Sequence, residues 1–109
     1  MNQVKAKLNR WILIVISETT KEFRRLLARL NPNVRKHARS VYQRWKDFPW
    51  HPSLQFKLIH RSLPIYSVRI GMHWRAIGIK KKQKVIWFWI GSHDEYDKTV
   101  VNLKRHTKK

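Results

Sequence analysis

The spacing of the apolar residues changes once along this chain, and that change sets the order of its elements. Phe23, Leu26, Leu27 and Leu30 recur at helical spacing, with Lys21, Arg24, Arg25 and Arg29 around the other face. Thr19 followed three residues later by Glu22 predicts a capping box, in which hydroxyl and carboxylate satisfy the free amides of a helix start. Asn31-Pro32-Asn33 stops this helix and starts a second one, whose apolar stripe is Val34, Ala38, Val41, Tyr42 and Trp45. The pair reads as an αα-hairpin. Pro49, Pro52 and Pro64 bracket an irregular connector, Asp47–Leu63. After it the period is two: Tyr66, Val68 and Ile70 alternate with Ser67, Arg69 and Gly71, a half-exposed strand. Trp74–Ile79 and Val85–Ile90 are two further strands, joined by the polar turn Lys80-Lys81-Lys82-Gln83-Lys84. Three strands so close in sequence predict antiparallel hairpins.

Two segments flank this block. Trp11–Ile16 is a continuous β-rich run and predicts a first strand. Gly91-Ser92-His93 leaves the last strand, and Asp94–Leu103 follows as a short helix before a basic tail. The order β-α-α-β-β-β gives an α+β fold: an antiparallel sheet packed on an αα-hairpin, with the other sheet face open. Residues 1–109 form a single domain with a core of about residues 11–103 and basic tails at both ends.

Charge narrows the function. Lys and Arg number 25 against 6 Asp and Glu, a formal net charge of +19. A small domain so charged repels itself, which a polyanionic partner offsets: nucleic acid, an acidic protein, or both. Apolar residues at 42% exclude a disordered chain. No cysteine is present, so disulfides, thiolate metal sites and cysteine nucleophiles are excluded, and a reducing cytoplasm suits the chain. The longest apolar runs have six residues, far short of the ~20 that span a bilayer. Lys5, Lys7 and Arg10 before the run Trp11–Ile16 imitate the start of a secretory signal, but that run is shorter than the usual ~7–15 residues.

The candidate chemistry lies on the open sheet face. Arg69 and Arg75, edged by His93 and Tyr96, have what phosphodiester cleavage needs: groups that move protons, and cations that hold the charge developing on phosphorus. The same four residues equally describe a phosphate-binding surface without chemistry. His37, His51, His60, His73 and His106 show no ligand spacing, so no metal and no cofactor is expected.

Several of these segments resemble the RelE/ParE superfamily of toxins from type II toxin–antitoxin systems. They are Thr20-Lys21-Glu22-Phe23, the strand Tyr66-Ser67-Val68-Arg69-Ile70-Gly71, Trp74-Arg75-Ala76, and above all Trp87-Phe88-Trp89-Ile90-Gly91-Ser92-His93-Asp94-Glu95-Tyr96-Asp97-Lys98. The likeness runs from about Trp11 to Val100. It implies a RelE-like, microbial-ribonuclease-type fold and a cytoplasmic toxin of bacterial kind that enters the ribosome and cuts mRNA. The 2′-hydroxyl would attack its own phosphate without a metal. It also implies a cognate antitoxin and a toxin–antitoxin hetero-oligomer. On this resemblance Arg69 contacts the scissile phosphate, Arg75 stabilises the transition state, His93 transfers a proton, and Tyr96 stacks on a base or assists that transfer. Ser67 stands where some members carry a lysine, which leaves His93, Asp94 and Glu95 as candidates for the base.

Plainer readings stand beside these. Arg69 and Arg75 are two among 25 basic residues. Lys80, Lys81, Lys82 and Lys84 read as a solvated hairpin tip, or as RNA phosphate contacts without sequence choice. Under strict alternation Trp87 and Trp89 share one side of their strand, and Ile86, Phe88 and Ile90 the other. One set covers the helices; the other lines the open face, where indoles can stack on RNA bases. Packing of both tryptophans beneath the connector or the C-terminal segment is the alternative. The competing functions are a ribosome-dependent endoribonuclease, a non-catalytic ParE-like inhibitor of DNA gyrase, and a basic RNA- or ribosome-binding protein.

Overall fold

The structure, a computed structural model, describes residues 16–106. The run expected as a first strand, Trp11–Ile16, therefore lies outside the described residues except for Ile16. The chain runs β1 (Ile16–Thr19), α1 (Lys21–Ala28), α2 (Pro32–Asp47), a 3-10 turn (Pro52–Leu54), β2 (Lys57–Leu58), β3 (Ile65–Ile70), β4 (Trp74–Lys81), β5 (Lys84–Ser92) and α3 (His93–His106). The α+β class holds: one five-stranded sheet, ordered β1-β5-β4-β3-β2, and three helices.

Helix starts follow local chemistry. Thr20, not Thr19, caps α1: its Oγ1 accepts from the Phe23 amide at 3.0 Å. Thr19 is already strand, and Glu22 turns to Arg25 instead of closing a box. The Glu22 carboxyl is held below its ordinary range by the hydrogen bond from Arg25. Asn31 caps α2 through its side chain, with Pro32 at the first helical position, where no amide is needed.

The three later strands form the expected antiparallel hairpins. Two features add to that expectation. A two-residue edge strand, β2, pairs with β3 inside the connector. β1 pairs with β5 in parallel, so the sheet is mixed and not antiparallel throughout.

Trp45 of α2 sits at the centre of the core. It is 1% exposed and packs edge-on against Phe56 and Trp87, with ring centroids 5.5 and 5.2 Å away. Val41, Val68, Ile70, Ala76, Val85 and Ile90 complete this layer between the helices and one sheet face.

The opposite face is not open. α3 lies against β4 and β5 there, and the Tyr96 hydroxyl donates to Ser67 Oγ at 3.1 Å. Ile65 and Ser67 are consequently buried, where alternation alone predicted a half-exposed strand. A charged helix with a few apolar residues covers this face, so its strands need not be polar outward.

Candidate functional site

Three consecutive pairings in the β3–β4 ladder build the site: Val68 with Ala76, Arg69 with Arg75, and Ile70 with Trp74. Residues directly opposite in a ladder share a face, so the two arginines stand side by side while their neighbours point into the core. The turn between the strands holds both. Gly71 has φ +64°, a conformation that side chains rarely adopt. Its carbonyl oxygen accepts from Arg69 Nε at 3.0 Å and from Arg75 Nη1 at 3.3 Å. Arg75 Nη1 also donates to the Trp74 carbonyl at 2.8 Å.

Two adjacent guanidiniums repel each other, and among the described residues neither forms a salt bridge. Burial, and then the charge of Arg69, lower the Arg75 pKa; Tyr96 and Asp97 act the other way. A half-buried pair of cations fixed by backbone carbonyls, with no carboxylate bound, is a preorganised seat for an anion.

The start of α3 supplies the rest. Ser92 and Glu95 make a reciprocal cap: Glu95 Oε1 accepts from the Ser92 amide at 3.1 Å, and Ser92 Oγ accepts from the Glu95 amide at 3.2 Å. This cap, with the His93 amide donating to the His73 carbonyl at 2.8 Å, fixes the direction in which α3 leaves the sheet. Exposed His93 and half-buried Tyr96 then face each other, with ring centroids 6.1 Å apart. Asp97 Oδ2 lies 3.6 Å from His93 Nδ1. Arg69, Arg75, His93 and Tyr96 are thus brought together. Glu95 serves the cap, so it is no longer available as the base that the sequence offered. The motif Ser92-x-x-Glu95 is itself a legible helix-start signal.

The two tryptophans part company. Ile77 pairs with Trp89 but Gly78 pairs with Trp87, so Phe88 is an extra residue in a β-bulge. The bulge reverses the alternation. Trp87, 3% exposed, joins Ile90 in the core and cannot stack on a base, which corrects its reading as an RNA contact. Trp89 is half-buried on the arginine face, its ring 6.5 Å from that of Tyr96 at 45°.

The lysines stand elsewhere. Lys80 and Lys81 end β4 and Lys84 begins β5, so the turn shrinks to Lys82-Gln83. From Arg75 to Lys81 the strand covers roughly 20 Å at ~3.3 Å per residue. Lys80 Nζ donates to the Lys82 carbonyl at 3.0 Å, and Lys84 pairs with Glu18 at 2.9 Å. This tip is a separate basic surface at the far end of the sheet. Among the described residues no group of three or more His, Cys, Asp or Glu converges as metal ligands would, and no helix is long and apolar enough to cross a membrane.

Residues 32–98 match the family model of the ParE-like toxin domain. No curated protein matches the chain in sequence. Solved structures do match its fold. The RelB–RelE antitoxin–toxin complex from Methanococcus jannaschii superposes with a TM-score of 0.61 at 14% identity, over 75% of this chain and 96% of that one. The archaeal RelE–RelB complex from Pyrococcus horikoshii OT3 gives 0.56 at 12% identity, over 71% and 92%. The isolated E. coli RelE toxin gives 0.55 at 12% identity, over 81% and 97%.

Proposed function

This chain belongs to the ParE-like toxin domain family, and from that premise we propose that it is the toxin of a toxin–antitoxin pair, acting as an endoribonuclease on ribosome-bound mRNA. The observation that carries the reading is the arginine pair: two cations without a salt bridge among the described residues, fixed to one carbonyl, beside a histidine and a tyrosine. Matches to RelE chains crystallised with RelB support a protein antitoxin as partner.

The chemistry follows from the residues. The 2′-hydroxyl gives up its proton to solvent water as a bond forms from the 2′-oxygen to phosphorus, and the bond from phosphorus to the 5′-oxygen breaks. Arg69 and Arg75 hold the non-bridging oxygens, whose charge grows in the transition state. Nδ1 of His93 faces Asp97, which leaves Nε2 to give a proton to the departing 5′-oxygen. Trp89 and Tyr96 offer ring faces to a base next to the scissile phosphate. The nucleophile is the substrate's own hydroxyl, so the step needs no metal-bound water.

The test is cleavage of mRNA on programmed ribosomes. Arg75→Ala is expected to slow cleavage ~100-fold or more, about 3 kcal/mol of transition-state stabilisation, with ribosome affinity nearly unchanged. Products should end in a 2′,3′-cyclic or 3′-phosphate. The match to a ParE-like model favours one second reading, a non-catalytic inhibitor of DNA gyrase. Growth arrest with intact mRNA and inhibited supercoiling would replace the nuclease by that reading.

A further inference from the structure

The row of paired residues that holds the two arginines has neighbours on both sides along the strands. Arg75 pairs with Gly91 and Ile77 with Trp89, so Trp89 stands two residues from the row, toward the hairpin tip. That is about 7 Å at ~3.3 Å per residue. On the other side Ile70 pairs with Trp74, and the turn Gly71-Met72-His73 closes the hairpin. The two outer carbonyls of this turn are both engaged by the site. That of Gly71 accepts from Arg69 and Arg75, and that of His73 accepts from the His93 amide. Met72 lies between them. At 70% exposed it is the most exposed large apolar side chain among the described residues. A lone apolar residue on a surface needs no explanation, but this one rides on the backbone that seats the cations.

His37 of α2 flanks the turn from the helix layer. Its Nε2 stands 3.2 Å from where a β-carbon on Gly71 would lie, so the imidazole packs on the Gly71 backbone. The residue is exposed, and no hydrogen bond or ion pair engages its ring among the described residues.

Single-stranded RNA is bound with its bases unstacked from one another and laid on side chains. A thioether makes such a platform, because it is polarisable and adapts its shape to an aromatic ring. With one base beside Trp89 and Tyr96, the base across the scissile phosphate falls toward the turn, and Met72 is the apolar side chain there. A strand continuing over the turn next meets His37, whose ring N–H can donate to the following phosphate.

We propose that the β3–β4 turn is a second nucleotide subsite, in which the base lies on Met72 and the outer phosphate meets His37. This deepens the nuclease reading and rests on the arginine pair being the phosphate seat. The Met72 thioether has no donor for a base edge, so the subsite distinguishes a base from none more than one base from another.

The experiment titrates the full chain, ¹³C-labelled at its methionine methyls, with the 2′-O-methyl dinucleotide pApAp, which lacks the attacking hydroxyl and cannot be cut. The chain has two methionines, Met1 and Met72, and Met72→Leu assigns the signal. pApAp is expected to move the Met72 methyl upfield and saturably through the ring current of the base, together with the Trp89 indole N–H. Two abasic analogues, each lacking one base, should separate the effects: one keeps the Trp89 shift and loses that of Met72, and the other does the reverse. The His37 ring signals should move with pApAp and stay with ApA, which lacks the outer phosphates. Met72→Ser should weaken pApAp about two- to tenfold and leave unchanged the affinity of the analogue without the Met72 base. A Met72 methyl that stays in place while Trp89 and the arginine Nε–H signals move overturns the subsite and leaves the phosphate seat standing. So does the loss of both shifts with the same base, and so do His37 signals indifferent to the outer phosphates. Arginine signals that ignore every probe refute the seat itself, and the subsite with it.

Discussion

Tyr96 and Ser67 make a hydrogen bond that should be unequal in its two halves. The Tyr96 hydroxyl donates to Ser67 Oγ at 3.1 Å, tying α3 to β3. Ser67 is 2% exposed, whereas Tyr96 is only half-buried. Tyr96→Phe leaves a serine hydroxyl sealed from water, a loss of about 1–3 kcal/mol. Ser67→Ala frees a tyrosine hydroxyl that can turn to solvent, a loss of about 0.5–1 kcal/mol. The double variant should be close to Ser67→Ala alone, so the coupling equals the cost of Tyr96→Phe, about 1–3 kcal/mol. Urea denaturation of the four proteins measures the cycle. Thermal midpoints should follow, at about 4–8 °C per kcal/mol for a domain of this size. Refutation is simple: Ser67→Ala costing as much as Tyr96→Phe, or a coupling near zero, means that the pair does not hold the helix.

The bulge yields a sharper contrast. Trp87→Ala should destabilise the fold by about 3–5 kcal/mol, whereas Trp89→Ala should spare stability and weaken RNA binding by about 1–3 kcal/mol, read by denaturation and by RNA titration. Gly91→Ala places a methyl 2.6 Å from Trp89 Cζ2, so the indole must move and cleavage should fall, with a change in tryptophan fluorescence as the check. Ser92→Ala removes half of the α3 cap and should cost about 1 kcal/mol in thermal or urea unfolding. Association with an acidic partner should slow steeply as salt rises, and a rate indifferent to salt contradicts the electrostatic reading.

The parts legible in the sequence were those written as a period. Phe23 to Trp45 repeat as helices must, and Tyr66 to Ile70 alternate as strands must, so the element order and the hairpins follow from counting, while the register that sets Arg69 opposite Arg75 is read from the ladder alone. Nor does the bulge follow from counting. In Trp87-Phe88-Trp89-Ile90 every residue is apolar, so nothing in the run marks where alternation slips by one. The slip became visible only through the β4 partners. Similarly, Thr19 and Thr20 are chemically equal as caps. The strand pairing of Thr19 with Trp87 chose between them, and that is a tertiary fact. Gly71's carbonyl is a backbone group, and no side-chain pattern could announce that it anchors both arginines.

The parallel partner of β1 also sets a timetable for the nascent chain. Ile16 aligns with Lys84 and Thr19 with Trp87, so the pairing joins residues 68 apart. Until β5 has been synthesised, β1 has no strand to lie against, and α3, which carries His93 and Tyr96, is made later still. Contacts so distant along the chain form late and slowly. A translating ribosome therefore carries β1 without its strand partner until β5 has been made, and the arginine pair lacks His93 and Tyr96 until α3 has followed it.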